Sequence, residues 1–371
     1  MILRNDSYEI LARDIIQNNR KIIIYGAGMI GKILVPYLLA KYALEAHVRC
    51  YVEQDQRKVG KKVKLYGGEA PIEPVSILQT VTENDIVLIT NSNFYPVVKM
   101  LDEIHALDGV NAYLLAVMQI ELAGKTGLHE IVKTQRAAMI PKKIHYCWFS
   151  GAEIPDNLKK CIESWKKFCP DYEIVRWDES NYDVNKNPYM RDAYAQKKWG
   201  FVPDIARLEI LYEHGGIYLD TDVELVHSLD DFLYQPAFCG VEKWGNINTG
   251  GCSGAQRHNP VIKAMLDYRE NIPFVYEDGS LNLETCGYYE TMPLIQMGME
   301  INNQVQVLGS QMTVYSSDFF HPFDYASGEL SMTPNTVSIH HFNGGWLDAA
   351  SQLQRAKTRQ EYQNILHRME R

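Results

Sequence analysis

A chain of 371 residues exceeds what one hydrophobic core usually serves, so two domains are expected. With 46% hydrophobic and 22% charged residues the composition is that of a globular protein, and a formal net charge of −9 argues against a nucleic-acid backbone as partner. Seven cysteines without a CxxC pair fit reduced thiols in a cytoplasmic protein better than a disulfide framework.

The opening MILRNDSYEI carries an acid early and no apolar core, so no signal peptide is expected. The most apolar long stretch, Ile22 to Ala40, is broken by Gly26, Gly28, Gly31, Lys32 and Pro36. A membrane span needs about 20 nearly unbroken apolar residues, so none is expected here. Peripheral contact with the inner face of a membrane stays open, and the sequence does not speak to oligomeric state.

In chain order, KIIIYGAG reads as a strand running into a glycine turn, and Met29 to Lys41 as a helix. AHVRCYVEQD and DIVLITNS read as further strands, Phe94 to Leu107 as a helix, and VNAYLLAV as a last short strand. This is the rhythm of a small α/β domain over residues 1–122. Residues 123–138 read as a helical linker, and residues 139–371 as a second α/β domain. That domain opens with a strand at Lys143 to Trp148, a helix from Pro155 to Phe168 and the strand YEIVRWD. Pro203 to Glu213 reads as a helix stopped by Gly215 and Gly216. An amphipathic helix closes the chain.

Gly26, Gly28 and Gly31 form GxGxxG between a strand and a helix, and Glu53 and Asp55 end the next strand, where a ribose-binding acid would sit. The glycines allow a tight turn and close approach of a phosphate to a helix N-terminus. The pattern resembles the small Rossmann-like domain found on sugar-modifying enzymes of polysaccharide pathways. Two readings stand side by side: a second site for a nucleotide or dinucleotide at Gly26, Gly28, Gly31 and Glu53, or a turn that serves only the fold.

EHGGIYLDTDVEL, residues 213–225, places Asp220 and Asp222 at the end of an apolar strand. In an extended chain alternate side chains face one side, and two neighbouring carboxylates repel unless a cation lies between them. Oxygen ligands suit Mg²⁺ or Mn²⁺ carrying substrate phosphates, and the carboxyl end of a strand is where α/β sheets bind ligands. One helix earlier, Asp204 and Arg207 share a helix face. Such a pair is commonly a surface ion pair.

PDIARLEILYEHGGIYLDTD resembles the signature of glycosyltransferase family 32, and is similar to the glucosyltransferase domain of the large clostridial toxins. IPKKIHYCWFSG resembles the family's opening strand, and together the matches cover about residues 139 to 346. The resemblance implies a GT-A-type nucleotide-sugar domain preceded by the Rossmann-like one. It implies that Trp148 stacks on the base, that Asp204 and Arg207 hold sugar hydroxyls, and that Asp220 and Asp222 serve the metal and ribose. Asn248 of NINTGG takes the place of an asparagine on the sugar. HHFNGGW resembles a loop that closes over the diphosphate, with His341, slightly ahead of His340, as third metal ligand and Trp346 capping the phosphates. At ETCGYYETMP the chain departs from the family's Thr-Gly-Pro loop, because Cys286 separates Thr285 from Gly287.

The expected function is metal-dependent, retaining transfer of a hexose from a nucleotide-diphosphate sugar, UDP-linked before GDP-linked, to a glycan or lipid-linked saccharide. Two rivals remain at this point. One is a nucleotide-sugar oxidoreductase or epimerase centred on GxGxxG, and the other is a non-catalytic scaffold in glycan assembly. Released nucleoside diphosphate, reduced NAD or silence with every donor separates the three.

Overall fold

The computed structural model describes residues 1–124, 127, 129–344, 347 and 349–369. They form two compact units, one of Met1–Gly124, Tyr325–Gly328 and Asp348–Arg371, the other of Lys125–Asp324 and Glu329–Leu347. Both are α/β.

In the first unit the strands are β1 (Ile2–Arg4), β2 (Lys21–Tyr25), β3 (Val48–Glu53), β4 (Lys62–Lys64), β5 (Glu69–Pro74), β6 (Asp85–Ile89) and β7 (Asn111–Leu114). The helices are α1 (Tyr8–Gln17), α2 (Met29–Lys41), α3 (Phe94–Asp102) and α4 (Leu115–Ala123). The sheet runs β1-β7-β6-β2-β3-β5-β4, parallel except where β4 meets β5. Ile22, Ile23 and Ile24 are fully buried in its centre, as a parallel strand covered on both faces requires.

The C-terminal helix, Ala349–Arg368, belongs to this unit and not to the second domain in which the sequence places it. Buried Tyr362 packs its ring 5.9 Å from Phe94, and Arg368 pairs with Asp102 at 2.9 Å. A polar 20-residue helix gives no sequence cue to its partner. The expected helical linker also differs: of residues 125–138, which group with the second unit, the described ones form no helix. There Val132 N donates to Tyr315 Oη at 3.1 Å and Met139 N to Leu233 O at 2.8 Å.

In the second unit the strands are β8 (Lys143–Cys147), β9 (Glu173–Trp177), β10 (Gly216–Tyr218), β11 (Val223–Leu225), β12 (Ala237–Gly240), β13 (Ser253–Ala255), β14 (Gln306–Leu308), β15 (Met312–Tyr315) and β16 (Ser338–His340). The helices are α5 (Asp156–Phe168), α6 (Pro188–Ala195), α7 (Pro203–His214), α8 (Pro260–Arg269) and α9 (Cys286–Gln296). The main sheet runs β14-β15-β12-β13-β10-β8-β9, and β11 pairs with β16 apart from it. Side-chain alternation along β10 sends Tyr218 into the core shared with α7, and Ile217 and Leu219 into the core on the other face. Gly215 ends α7 at φ +63°, and a Cβ there would lie 2.9 Å from Arg257 N, so glycine alone turns the chain from α7 into β10.

All seven cysteines are free, and six of them are buried. Among the described residues no helix is long and apolar enough to cross a membrane.

Candidate active site

The site gathers where β10 ends. Asp220 N donates to Gly250 O at 2.8 Å, and Val223 N donates back to Asp220 O at 3.0 Å. That second bond closes a turn over Thr221 and Asp222. The two carboxylates therefore face one place because of a turn, not because of the strand alternation expected from sequence. Tyr218 Oη donates to Asp220 Oδ1 at 3.1 Å.

Asp204 and Arg207 project from α7 towards this turn. They are not a surface pair: their side chains are 5% and 4% exposed, and Arg207 Nη2 lies 3.1 Å from Asp204 Oδ1. Arg207 also reaches Asp220 Oδ1 at 3.6 Å and Glu290 Oε1 at 3.9 Å, and donates to Cys286 Sγ at 3.8 Å. The cysteine at which the chain departs from the family pattern thus touches the site arginine.

Sequence reading missed three further members. Glu290 is fully buried in α9 and accepts from Thr249 N at 2.9 Å and Thr249 Oγ1 at 2.8 Å, tying the NINTGG loop to Arg207. Arg269 ends α8 with its guanidinium 4.7 Å from the ring centroids of both Tyr189 and Tyr289, and 3.8 Å from Asp204 Oδ2. Gly250 lies so close that a Cβ would stand 2.1 Å from Asp220 Oδ2 and 2.6 Å from Arg207 Nη1. Only the glycine pair in NINTGG could have signalled any of these.

Asn248 is buried, and its Oδ1 accepts from Gly250 N at 2.9 Å and Gly251 N at 3.2 Å while Nδ2 donates to Glu242 at 2.7 Å. Its amide oxygen is committed to shaping the loop that Asp220 leans on. Trp148 follows β8, the parallel neighbour of β10, and its Nε1 donates to Ala152 O at 2.7 Å. Trp346 lies outside the described residues.

The histidine beside the carboxylates is His340, where the sequence reading puts His341. Val223 opposes His340 in the antiparallel pair of β11 and β16, and residues 340 and 341 point opposite ways. His340 Nε2 is 3.3 Å from Asp222 Oδ1, whereas His341 Nε2 meets Glu224 Oε2 at 3.0 Å in a half-exposed pair. Phe342 stacks on the His340 ring at 4.0 Å and fixes its plane. Asn343 N donates to Asp222 Oδ2 at 2.9 Å.

Asp220, Asp222 and His340 each offer a ligand atom within 4.8 Å of the others. Burial works to raise the Asp222 carboxyl, but His340 and the Asn343 amide win and hold it down to about 2. Two oxygens and one imidazole nitrogen fit a divalent first-row ion such as Mn²⁺. His340→Ala is expected to weaken Mn²⁺ binding by at least about tenfold, while His341→Ala leaves it unchanged. Calorimetric titration of both variants checks this.

Residues 155–239 match the family described as glycosyltransferase sugar-binding region containing DXD motif. The matched residues lie in the second unit. Inositol phosphoceramide mannosyltransferase 3 of Schizosaccharomyces pombe is 40% identical over 155 residues, covering 40% of this chain and 43% of that protein. Inositol phosphoceramide mannosyltransferase 2 of the same yeast is 32% identical over 142 residues, covering 36% and 39%. The chain thus spans about two-fifths of the length of these relatives. Among solved structures, PaToxG glycosyltransferase is similar at 21% identity and a TM-score of 0.35, over 49% of this chain and 74% of its own. The DXD region holds Asp204, Arg207, Asp220 and Asp222, the residues on which the resemblance to family 32 was drawn.

Proposed function

We propose that the DXD unit transfers a hexose from a nucleoside-diphosphate sugar to a hydroxyl of a glycan or lipid-linked saccharide, with retained anomeric configuration. The observation that carries this reading is the convergence of the buried Asp204–Arg207 pair with Asp220, Asp222 and His340 at the end of one strand.

Asp220, Asp222 and His340 would hold a divalent ion, which would supply positive charge to the leaving diphosphate. Arg207, anchored by Asp204, Asp220 and Glu290, brings its positive charge to the oxygens of the sugar. Asp204, steadied by Arg269, accepts from a sugar hydroxyl. Trp148 offers its indole face to the base, with its N–H spent on Ala152 so that the ring holds one pose. Asn248 acts through the loop it braces. The acceptor hydroxyl attacks from the face the diphosphate leaves, and its proton passes to a departing phosphate oxygen.

UDP-hexose is the first donor reading, from the resemblance to the toxin glucosyltransferase domain. GDP-mannose is the second, favoured by the names of the yeast relatives. Incubation of the whole chain with UDP-glucose, UDP-galactose and GDP-mannose in Mn²⁺ is expected to release nucleoside diphosphate from one of them. No release from any of the three would sink the reading as stated.

A pH prediction follows from Asp204. Burial pushes its carboxyl up to about 6, against the pull of Arg207 and Arg269. The transfer rate is therefore expected to fall as pH drops through about 6, because a protonated carboxyl no longer accepts. Its contribution to stability runs the other way. A raised native pKa means the folded state binds the proton more tightly, so this contribution is fully present below the ordinary carboxylate range and is lost as pH rises through about 6. Rate and melting profiles of wild type and Asp204→Asn separate the two: the variant loses the Asp204 part of both slopes.

A further inference from the structure

The first unit has a switch point in its sheet to which the proposed glycosyl transfer assigns no role. β2 pairs in parallel with β3 on one side and β6 on the other, and the chain passes through α2 to β3 before crossing back to β6. The strand order reverses between β2 and β6, and open parallel sheets bind ligands outside the carboxyl ends of strands at such a point. Two loops meet there, Gly26–Ala27–Gly28 after β2 and residues 90–93 after β6. Thr90 Oγ1 joins them, donating towards Tyr25 O at 3.0 Å and Gly26 O at 2.9 Å.

Each loop opens a helix. α2 starts after Gly28 and α3 after Asn93, and neither has a side-chain cap, so both present positive helix ends to the switch point.

The three glycines differ in their reasons. Gly26 has φ +103°, and a Cβ there would stand 2.6 Å from Thr90 Oγ1. A Cβ on Gly31 would stand 2.3 Å from Gly26 O, so this glycine lets α2 close onto β2. Gly28 answers to neither need, because its φ is −89° and a Cβ would meet nothing within 4 Å. The space above it is open on the protein side.

Polar atoms without partners lie on β2 and the second loop, and Asn91 Oδ1 stands 2.9 Å from where a Cβ on Gly26 would be. Tyr25 is 3% exposed, and its Oη has no hydrogen-bond partner. Burial first, and then the charge of Glu53, push its phenol up to about 12. Asn91 Oδ1 and Asn93 Oδ1, from the second loop, are also buried atoms without partners. Glu53 is oriented: its Oε2 accepts from Ala27 N at 3.1 Å and Lys58 Nζ at 3.3 Å, and its Oε1 from Gln54 N at 3.0 Å.

We propose that this switch point binds a nucleoside phosphate, with the phosphate over Gly28 and the first turn of α2, the ribose hydroxyls on Glu53, and the remainder against Asn91 and Asn93. An anion is what an uncapped helix end lacks, a diol is what a braced carboxylate accepts from, and a hydroxyl or amine donor is what the asparagine oxygens lack. The ligand is either a free mononucleotide or half of a dinucleotide, since both share this chemistry.

The test uses the whole chain carrying Asp222→Asn in EDTA buffer, so that the metal-dependent site of the second unit is silent and a failed donor assay there leaves this result readable. NAD⁺, ADP and UDP are titrated calorimetrically. At least one is expected to bind, NAD⁺ above ADP marking a dinucleotide and the reverse a mononucleotide. Gly28→Asp supplies a preferred helix-capping residue, so the fold is kept while a carboxylate occupies the phosphate position. It is expected to weaken binding by at least about tenfold, and Glu53→Gln by a similar factor. No binding of any probe at millimolar concentration, or binding that Gly28→Asp leaves untouched, overturns the proposal.

Discussion

Asp222→Asn is expected to lower donor turnover by about two to three orders of magnitude, the range seen when one electrostatic partner of a developing charge is removed. The substitution keeps the shape of the side chain, and its Oδ1 can still accept from Asn343 N, so melting should stay close to wild type. What is lost is charge. His340 then faces a neutral amide where it had a carboxylate 3.3 Å away, and Asp220 holds an ion with one fewer anionic ligand. Asp220→Asn should be nearly as severe, since Asp220 also meets Arg207 at 3.6 Å. The measurement is nucleoside diphosphate release in EDTA-treated buffer with Mn²⁺ returned, alongside a melting curve. Wild-type rates in Asp222→Asn would remove the metal from the account.

Arg207 carries the second large effect, and its burial changes how that effect must be measured. An exposed ion pair contributes about 0–1 kcal/mol, but this guanidinium is 4% exposed among Asp204, Asp220 and Glu290. Arg207→Ala strands three carboxylates around a hole, and breaking a buried pair costs about 3–5 kcal/mol. That variant is expected to lose both stability and activity. Arg207→Lys separates them, because it returns the charge without the planar fork. Its expected result is a modest fall in melting and a transfer rate lower by about ten- to a hundredfold, the worth of a charged hydrogen bond to the reacting sugar. Affinity for the free nucleoside diphosphate should survive, since it rests on the ion and Trp148. Transfer at the wild-type rate in Arg207→Lys would return the pair to structure alone.

Local signals in this chain were legible, and non-local ones were not. Met29–Lys41 is the helix that its glycine entry and apolar run imply, and Gly215 and Gly216 stop α7 within one residue of the expected end. Asp204 and Arg207 fall on one face of α7 because three residues nearly complete a turn, which needs no tertiary information. Their burial does need it, because α8 and α9 bring Arg269, Cys286 and Glu290 from 60 to 90 residues away. The adjacent histidines show the same limit: sequence offers both, and only the pairing of Val223 with His340 decides which one faces Asp222. Strand β1, at three residues, is too short to show a period, but helix α1 was legible, since Leu11, Ala12 and Ile15 fall on one buried helical face.

Asp220, Asp222 and His340 are proposed to hold a divalent ion on which a nucleoside diphosphate docks. Electron paramagnetic resonance of free Mn²⁺, titrated with the whole chain, tests it without any assumption about the sugar. One Mn²⁺ per chain should leave the free signal, binding should tighten when UDP or GDP is added, and Asp222→Asn should abolish both. A wild-type chain that leaves the Mn²⁺ signal unchanged, or an Asp222→Asn chain that binds as wild type does, would contradict the account.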